Sequence, residues 1–214
     1  MLSQRRFWFI LLHVAEKDLI RFAEYFSPSG VILIAGGEKG ITSLSLTADR
    51  GPFLGGIKDK YGYCPREDRT FFKDAFAQLD IYFSGGPMEF TLPLDLKGSV
   101  FELKVWKAIR EIPWGQTLSY GEIALRTGSP AASRAVGGAC GKNPVPLIIP
   151  CHRVLGSNGS LGGYTGGLEI KKMLLKIEGA LSKPPGELRK EEKPGRCEHG
   201  GLTVSSGKSA META

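Results

Sequence analysis

The sequence predicts a protein of the α/β (α+β) class, in which a small α/β module precedes a mainly helical part with a helix-turn-helix. Two apolar runs joined by a glycine-rich turn predict a β-hairpin over residues 31–46. Ser99 and Ser119 are each followed three residues later by Glu, the spacing of the capping box that opens a helix. Gly128 separates two short helical patterns and supplies the tight turn of a helix-turn-helix.

The β-hairpin is the clearest element of the first half. Residues 31–35 are apolar throughout, so this arm is predicted to be buried on both faces, whereas residues 41–46 alternate. Residues 90–96 are predicted to form an edge strand, because Pro93 cannot donate a ladder hydrogen bond. Residues 1–26 form an extension of unclear role, within which residues 16–26 fit a short amphipathic helix.

One amphipathic helix is predicted between these strands. Its apolar residues recur at helical spacing, and they are Phe72, Phe76, Leu79 and Phe83. Such an aromatic stripe is typical of a packed core and does not by itself indicate a cofactor site. Residues 51–65 are predicted to be a loop. The first half therefore offers no catalytic constellation.

Composition places the chain among soluble globular proteins. Of 214 residues, 42% are hydrophobic and 23% charged, which fits one domain or two small ones. The formal net charge is +6, and residues 85–180 contain 11 Lys and Arg against 7 Asp and Glu, which modestly favours a nucleic-acid partner. The apolar run after Arg6 is too short to span a membrane. Four scattered cysteines predict free thiols in the cytoplasm rather than a disulfide framework: Cys64, Cys140, Cys151 and Cys197.

The second helix of the predicted helix-turn-helix carries unusually small side chains. Ser129 and Pro130 are predicted to begin it, as N-cap and first helical residue. Gly137 and Gly138 each cost about 1 kcal/mol of helix stability, so the sequence gains something else from them. Either a ligand approaches this backbone closely, or the helix packs tightly against another helix. Arg134 is the only long polar side chain on this surface.

Cys151 and His152 follow an apolar run fenced by two prolines. Residues 147–149 are predicted to form a short buried strand that Pro150 ends. Successive side chains of an extended chain point to opposite faces, so the thiol and the imidazole are not expected to touch. Activation of the thiol by His152 then needs a kinked backbone or an intervening water. The simpler alternative is a buried structural cysteine beside a surface histidine.

Two further segments after Cys151 bear on this stretch. Residues 162–167 form a glycine-rich loop that lacks the spacing of a phosphate-binding fingerprint but can wall a pocket for a flat ligand. Glu178 ends an amphipathic helix, where it is either solvated or orients a histidine. Residues 181–214 are predicted to be disordered, because they contain few large apolar residues.

Over residues 85–180 these motifs closely resemble the O6-alkylguanine-DNA alkyltransferases, also called methylated-DNA–protein-cysteine methyltransferases. The matching segments, in chain order, are Phe101-x4-Trp106, Ile112-Pro113-Trp114-Gly115, Ser119-Tyr120-Gly121-Glu122-Ile123-Ala124, Arg134-Ala135-Val136-Gly137-Gly138-Ala139, Asn143-Pro144-Val145-Pro146, Ile149-Pro150-Cys151-His152-Arg153-Val154 and Gly163-Tyr164-x-Gly166-Gly167-Leu168. The resemblance implies a ribonuclease-H-like domain over residues 27–96 and a DNA-binding, alkyl-accepting domain over residues 97–180.

The resemblance also implies an activity. An alkyl group passes from O6 of guanine, or from O4 of thymine, to Cys151 in a single irreversible turnover on a flipped-out base. His152 resembles the residue that deprotonates the thiol through a water, and Glu178 the residue that orients His152. Asn143 resembles the brace of the turn around the site. Tyr120 resembles the tyrosine that helps the nucleotide to rotate and donates a hydrogen bond to the departing guanine.

The remaining roles concern DNA and the base pocket. Arg134 resembles the arginine that enters the base stack and fills the vacated space. The small residues around it suit docking in a minor groove, and they are Ala132, Ser133, Ala135 and Gly137. The pocket is implied to be lined by Tyr164, Thr165, Gly166, Pro146 and Arg153. No cofactor or metal is implied. The implied partner is double-stranded DNA, the protein is expected to be a monomer, and no membrane association is implied.

Three other functions are weighed against this one. A Cys-His hydrolase would turn over repeatedly and show no preference for DNA. A helix-turn-helix regulator, or an alkyltransferase-like protein that only binds lesions, would bind DNA without needing Cys151. The retained cysteine distinguishes the chain from the lesion-binding relatives, which replace the nucleophile.

Overall fold

The structure is a computed structural model that describes residues 19–181. The predictions for residues 1–18 and for the tail from residue 182 onward lie outside this part of the chain. Within it, no helix is long and apolar enough to cross a membrane.

A four-stranded sheet forms the first half. Its strands are β1 (Arg21–Ser27), β2 (Gly30–Gly37), β3 (Gly40–Ser45) and β4 (Arg66–Glu67), in the spatial order β3-β2-β1-β4. The predicted hairpin is confirmed, since β2 and β3 pair antiparallel, and Ile32 to Ala35 of β2 are almost completely buried. The ladder is irregular at Gly36, where a Cβ atom would lie only 2.7 Å from the Gly40 carbonyl oxygen.

The helix fitted to residues 16–26 is wrong where the structure describes them, because β1 occupies residues 21–27. Its apolar spacing fits a helix, but antiparallel pairing of all seven residues with β2 decides the conformation. Alternate residues then reach opposite faces of the sheet, Phe22 on one side and Tyr25 on the other. The sheet therefore begins before the predicted domain boundary at residue 27.

Each face of the sheet is covered by a helix. The prediction of a loop over residues 51–65 is wrong, because helix α1 (Arg50–Tyr61) covers most of them, and its single buried residue, Ile57, packs with Phe22 and Ala35. Pro52 and three glycines make this segment resemble a loop in sequence. A proline in the first turn of a helix, however, breaks no intrahelical hydrogen bond. The predicted aromatic helix is confirmed as α2 (Lys73–Phe83), which follows a 3₁₀ turn and packs on the other face.

The strand predicted over residues 90–96 is wrong. Only Leu94 forms a bridge, to Ile41 of β3. The Ile41 amide donates to the Pro93 carbonyl at 2.8 Å, and the Asp95 amide donates to the Ile41 carbonyl at 3.0 Å. Because Pro93 has no amide hydrogen to donate, the pairing extends no further.

The second half is mainly helical, as predicted. Its helices are α3 (Val100–Arg110), α4 (Tyr120–Arg126), α5 (Ser133–Gly141) and α6 (Leu168–Ile177). Both capping boxes form, at Ser99 and at Ser119. Helix α5 begins later than predicted, because residues 129–132 form a turn in which the Ala132 amide donates to the Ser129 carbonyl at 2.9 Å.

A two-stranded parallel ladder positions the functional part of this half. Strand β5 (Leu118–Ser119) leads into α4, and β6 (Val154–Leu155) follows Cys151–Arg153. Their pairing holds the start of α4 beside the cysteine segment. Trp106 of α3 donates its indole hydrogen to the Ala139 carbonyl of α5 at 2.8 Å, which fixes α5 on the same core.

Candidate active site around Cys151

The segment before Cys151 is buried, but it is a turn and not the predicted strand. Leu147 has a φ of 78°, and the Ile149 amide donates to the Val145 carbonyl at 2.9 Å. Asn143 braces this turn with both ends of its amide: Oδ1 accepts from the Val145 amide at 3.0 Å, and Nδ2 donates to the Ile149 carbonyl at 2.8 Å. The two prolines remove amide donors that a strand would need.

Cys151 lies at the start of a single 3₁₀ turn, Cys151–Arg153. Its Sγ is 3.1 Å from Nδ2 of Asn143, and the residue is only 5% exposed. Burial raises the pKa of the thiol, and the Asn143 donor acts in the opposite direction. The thiol is therefore protonated at rest and needs a base before it can attack.

His152 is completely buried next to that thiol. Its Nε2 is 2.8 Å from Oε1 of Glu178, whereas its Nδ1 has no hydrogen-bond partner among residues 19–181. An ionised carboxylate can only accept, so Nε2 carries the proton and Nδ1 offers a lone pair. Burial lowers the pKa of His152, although Glu178 opposes this, so the ring is neutral at pH 7.

Glu178 is the most heavily hydrogen-bonded side chain of the site. Besides His152, it accepts from Nε and Nη2 of Arg153 at 2.7 and 3.0 Å and from the Tyr82 hydroxyl at 2.8 Å. Burial opposes its ionisation, but His152 and Arg153 together outweigh burial and hold the pKa at about 2. Of the two alternatives for Glu178, the structure excludes a solvated helix end.

Arg153 lies behind the histidine and not in the pocket to which the resemblance assigned it. Its Nη1 donates to the Ile112 carbonyl at 2.5 Å, and the side chain is buried against Glu178. This contact explains part of the Ile112-Pro113-Trp114-Gly115 motif. The Trp114 ring packs edge-on against Tyr82 at 5.1 Å, and a Cβ atom on Gly115 would come within 2.9 Å of the Glu178 carbonyl oxygen.

The thiol opens into a cavity of about 420 Å³. Its walls come from α4, α5 and the glycine-rich loop, and the residues are Tyr120, Gly137, Cys140, Gly141, Cys151, Gly163, Tyr164 and Thr165. A smaller adjoining cavity of about 100 Å³ adds Asn143, Pro146 and Gly166 to this region. A larger cavity of about 630 Å³ near α3 contains no cysteine. Apart from Arg153, the structure thus gathers every predicted pocket residue near the thiol.

Tyr120 begins α4 and is half-buried in the wall of the main cavity. Burial raises the pKa of its hydroxyl, and the nearby Cys140 and Cys151 act in the same direction, so it remains a hydrogen-bond donor. Gly162, at a φ of 62°, approaches so closely that a Cβ atom would lie 2.8 Å from the Tyr120 hydroxyl oxygen. Thr165 donates to the Gly141 carbonyl at 3.2 Å, which ties the loop to α5.

Helix α5 shows a smooth outer surface. Ser133, Arg134 and Ala135 are exposed, whereas Val136 and Ala139 are buried in the core. Arg134 forms no ion pair or hydrogen bond with residues 19–181. Its guanidinium therefore does not brace this part of the fold and is available to an anionic or stacked partner.

Two buried polar side chains near the site were missed from the sequence. Tyr82 lies in the aromatic pattern of α2, which looks like ordinary core. Lys171 precedes Lys172 and resembles a solvated helix face, yet it is fully buried and donates to the carbonyls of Val154 and Leu161. Burial lowers its pKa. Only the pairing of distant segments reveals either residue.

The fold and the site define a two-part protein, a sheet-bearing half followed by a helical half, whose buried thiol faces a cavity. Residues 20–96 match the family model of the 6-O-methylguanine DNA methyltransferase ribonuclease-like domain, and residues 100–180 match that of its DNA binding domain. The methylated-DNA–protein-cysteine methyltransferase of Methanosarcina acetivorans is 44% identical over 159 residues, covering 74% of this chain and 98% of the relative.

Solved structures agree with these matches. The crystal structure of Mycobacterium tuberculosis O6-methylguanine methyltransferase has a TM-score of 0.67 at 39% identity, covering 77% of this chain and 96% of that one. A complex of M. tuberculosis OGT with DNA has a TM-score of 0.65 at 39% identity, covering 78% and 96%. The chain belongs to the 6-O-methylguanine DNA methyltransferase family, and the resemblance and fold class predicted from the sequence are confirmed.

Proposed function

We propose that this protein repairs DNA by transferring a methyl or other alkyl group from O6 of guanine to Sγ of Cys151. O4 of thymine is a second substrate by the same chemistry. The observation that carries the proposal is the position of Cys151, whose sulfur opens into a cavity next to a buried His152–Glu178 pair. The relatives named as methylated-DNA–protein-cysteine methyltransferases support it. Since the product is a thioether, each molecule reacts once.

The proposed reaction begins with a proton transfer from Cys151 to His152. Nδ1 of His152 is buried without a protein partner and offers the lone pair that takes the proton, through one water. Glu178 is ionised and stabilises the imidazolium that forms. The thiolate then attacks the alkyl carbon, and the carbon–oxygen bond breaks with its electron pair going to guanine. Tyr120 donates a hydrogen bond to this leaving group.

The alkylated base must leave the duplex to reach the sulfur. Flipping a base costs a few kcal/mol of stacking and pairing. We infer that α5 docks in the minor groove, because the residues beside Arg134 are too small to clash there. Arg134 is exposed and unpaired within the described residues, and its planar guanidinium can replace the extruded base in the stack. The DNA complex of the mycobacterial relative supports DNA as the partner.

The functional unit proposed here is residues 97–180, with the preceding sheet as its companion. We propose that the protein acts as a monomer in the cytoplasm. Its mechanism needs no cofactor, but Cys151 must remain reduced, which a cytoplasmic glutathione pool favours.

Intact mass measurement tests the transfer. After incubation with a duplex containing O6-methylguanine, we expect one added methyl group per protein molecule, located on Cys151 by peptide mapping. Cys151→Ala should bind the same duplex and gain nothing. Repeated turnover would support the hydrolase alternative, and binding without any transfer by the native chain would support a lesion-binding protein.

His152 and Glu178 should behave as one unit. Each single variant, His152→Ala or Glu178→Gln, should slow transfer strongly, and the double variant should be little slower than either, as expected of groups that act in series. Strictly multiplicative losses would show that the two side chains contribute independently.

A further inference from the structure

Tyr82 connects the sheet-bearing half to the catalytic histidine. It lies on α2, is completely buried, and packs against the Phe90 ring at 5.7 Å and the Trp114 ring at 5.1 Å. Its hydroxyl donates to Oε1 of Glu178 at 2.8 Å, across 96 positions of sequence. Burial and the neighbouring Glu178 both raise the pKa of Tyr82, so the hydroxyl is a permanent donor.

The oxygen that accepts from Tyr82 is the same one that holds His152. Oε1 of Glu178 accepts from Nε2 of His152 at 2.8 Å, from Tyr82 at 2.8 Å and from Nη2 of Arg153 at 3.0 Å. Each donor takes a share of the negative charge on this oxygen and restricts the direction in which its lone pairs point. The imidazole therefore responds to the presence of the Tyr82 hydroxyl although the two side chains share only the carboxylate.

We propose that Tyr82 is a positioning residue for the alkyl transfer, acting through Glu178 to set the orientation and basicity of His152. The inference rests on the proposed function and assigns part of the catalytic apparatus to the N-terminal half. It gives that half a role beyond covering the core, because its α2 supplies one of the donors that hold the carboxylate. Neither Arg153 nor His152 replaces this donor, since both already use Glu178.

Loss of the hydroxyl has a predictable sign. With one donor fewer, Oε1 carries more negative charge toward the imidazole, so protonated His152 is stabilised and its pKa rises. The transfer needs neutral His152, because the proton leaves the thiol for Nδ1. The acid limb of the rate profile should therefore move to higher pH when the hydroxyl is removed.

The test compares Tyr82→Phe with Tyr25→Phe. Each change deletes one phenolic hydroxyl that donates to a carboxylate. The Tyr25 hydroxyl donates to Asp80 of α2 at 2.6 Å, and its ring packs in the same core as Tyr82. Tyr25 does not contact Glu178. Rates of transfer from the free base O6-benzylguanine are measured across pH 5–9, with thermal unfolding as a check on folding. Tyr82→Phe is expected to raise the acid-limb midpoint. It should also slow the transfer roughly tenfold near neutral pH, because Glu178 then holds the imidazole less firmly in its orientation. Tyr25→Phe should leave that midpoint where it is.

A second measurement keeps the inference testable if Tyr82→Phe does not fold. Site-specific 3-fluorotyrosine at position 82 keeps the ring and the hydrogen bond but makes the hydroxyl a stronger donor. The His152 ring, followed by nitrogen NMR, should then titrate at lower pH than in the native protein. An unchanged titration, or a Tyr82→Phe variant that loses stability while its pH midpoint stays fixed, would overturn the role. Failure of the native protein to accept an alkyl group would instead overturn the proposed function.

Discussion

Two thiols share the cavity, and their surroundings distinguish them. Burial raises the pKa of Cys140 to about 12. Cys151 is also buried, but it receives a hydrogen bond from Asn143 and adjoins the His152–Glu178 pair, whereas Cys140 receives no side-chain hydrogen bond within residues 19–181. A thiolate is the reactive form, so proximity to the substrate is not sufficient for attack.

We expect alkyl transfer to be confined to Cys151. Cys140→Ala should still accept one alkyl group per molecule from an O6-methylguanine duplex, because the Cys140 thiol that it removes has no base to deprotonate it. Cys151→Ala should accept none, even though Cys140 remains in the cavity. Peptide mapping after reaction checks both variants, and alkyl mass on the Cys140 peptide of the native protein would contradict this selectivity.

Arg134→Ala should impair repair of duplex DNA much more than reaction with free O6-benzylguanine. The guanidinium is exposed and unpaired in the described part of the chain, so its loss costs the fold little. Extrusion of the base then loses the group that fills the gap, which we expect to slow the duplex reaction at least tenfold, or by about 1.4 kcal/mol. Parallel rate measurements on both substrates check the difference, and equal losses would indicate that Arg134 supports the cavity itself.

At the scale of elements, the glycine-rich loop is fitted to Tyr120. Gly162 needs its positive φ and also leaves room for the phenol, since a Cβ atom there would lie 2.8 Å from the hydroxyl oxygen. Gly62 has a similar φ of 81°, but a Cβ atom there would meet nothing within 4 Å. The two positions therefore separate backbone strain from contact with the site.

Gly162→Ala and Gly62→Ala should each cost about 1 kcal/mol of stability, the price of a left-handed backbone for a residue with a side chain. Only Gly162→Ala should also slow alkyl transfer from the free base, because it displaces the Tyr120 hydroxyl. Denaturant unfolding and transfer rates measured on both variants make the comparison. Equal transfer rates would show that the tyrosine tolerates displacement.

Local signals made some elements predictable and left others hidden. The capping boxes at Ser99 and Ser119 are satisfied within four residues, so the sequence alone predicts where α3 and α4 begin. Strand β1 and helix α1 depend on partners elsewhere: β1 pairs along β2, and α1 is held by the packing of its Ile57 against Phe22 and Ala35. Residues 147–149 have the composition of a buried strand, but Asn143 folds them into a turn, which no apolar pattern encodes.

At the scale of the whole molecule, Glu178 at the end of α6 contacts Tyr82 of α2 and the turn Cys151–Arg153. Its ionisation is coupled to folding. Its folded pKa of about 2 lies below its ordinary value of 4.5. The folded state thus binds this proton less readily than the unfolded chain does. The stabilisation is complete above about pH 4.5 and is lost as the pH falls toward 2.

The native protein should therefore lose on the order of 3 kcal/mol of unfolding free energy from this group between about pH 4.5 and 2. Glu178→Gln should be less stable at pH 7 and show a shallower decline on acidification. Glu169→Gln, which removes an exposed carboxylate from the same helix, serves as the control. Denaturant titrations at several pH values measure the slopes, and parallel curves for native protein and Glu178→Gln would refute the coupling.

The same tertiary connections explain which parts of the site could be predicted. Cys151 and His152 stand in a matched motif, and Glu178 was identified from its place at the end of the last amphipathic helix. The resemblance placed Arg153 in the pocket, but the 3₁₀ turn sends its side chain to Glu178. Tyr82 could not be predicted, because its importance arises from a partner 96 residues away.

The plain surface of α5 has a consequence for how such a protein searches a genome. Reading a sequence requires side chains that exchange hydrogen bonds with base edges, and this helix presents little besides Ser133 and Arg134 for that purpose. If it docks as proposed, every stretch of duplex looks nearly alike to it. Damaged and undamaged bases are then distinguished at the flipping step, because a weakly paired base leaves the duplex more easily than an undamaged one. Such a protein has no preferred binding sequence. Its rate of repair at a lesion should depend on the stability of the local base pairs and not on their sequence.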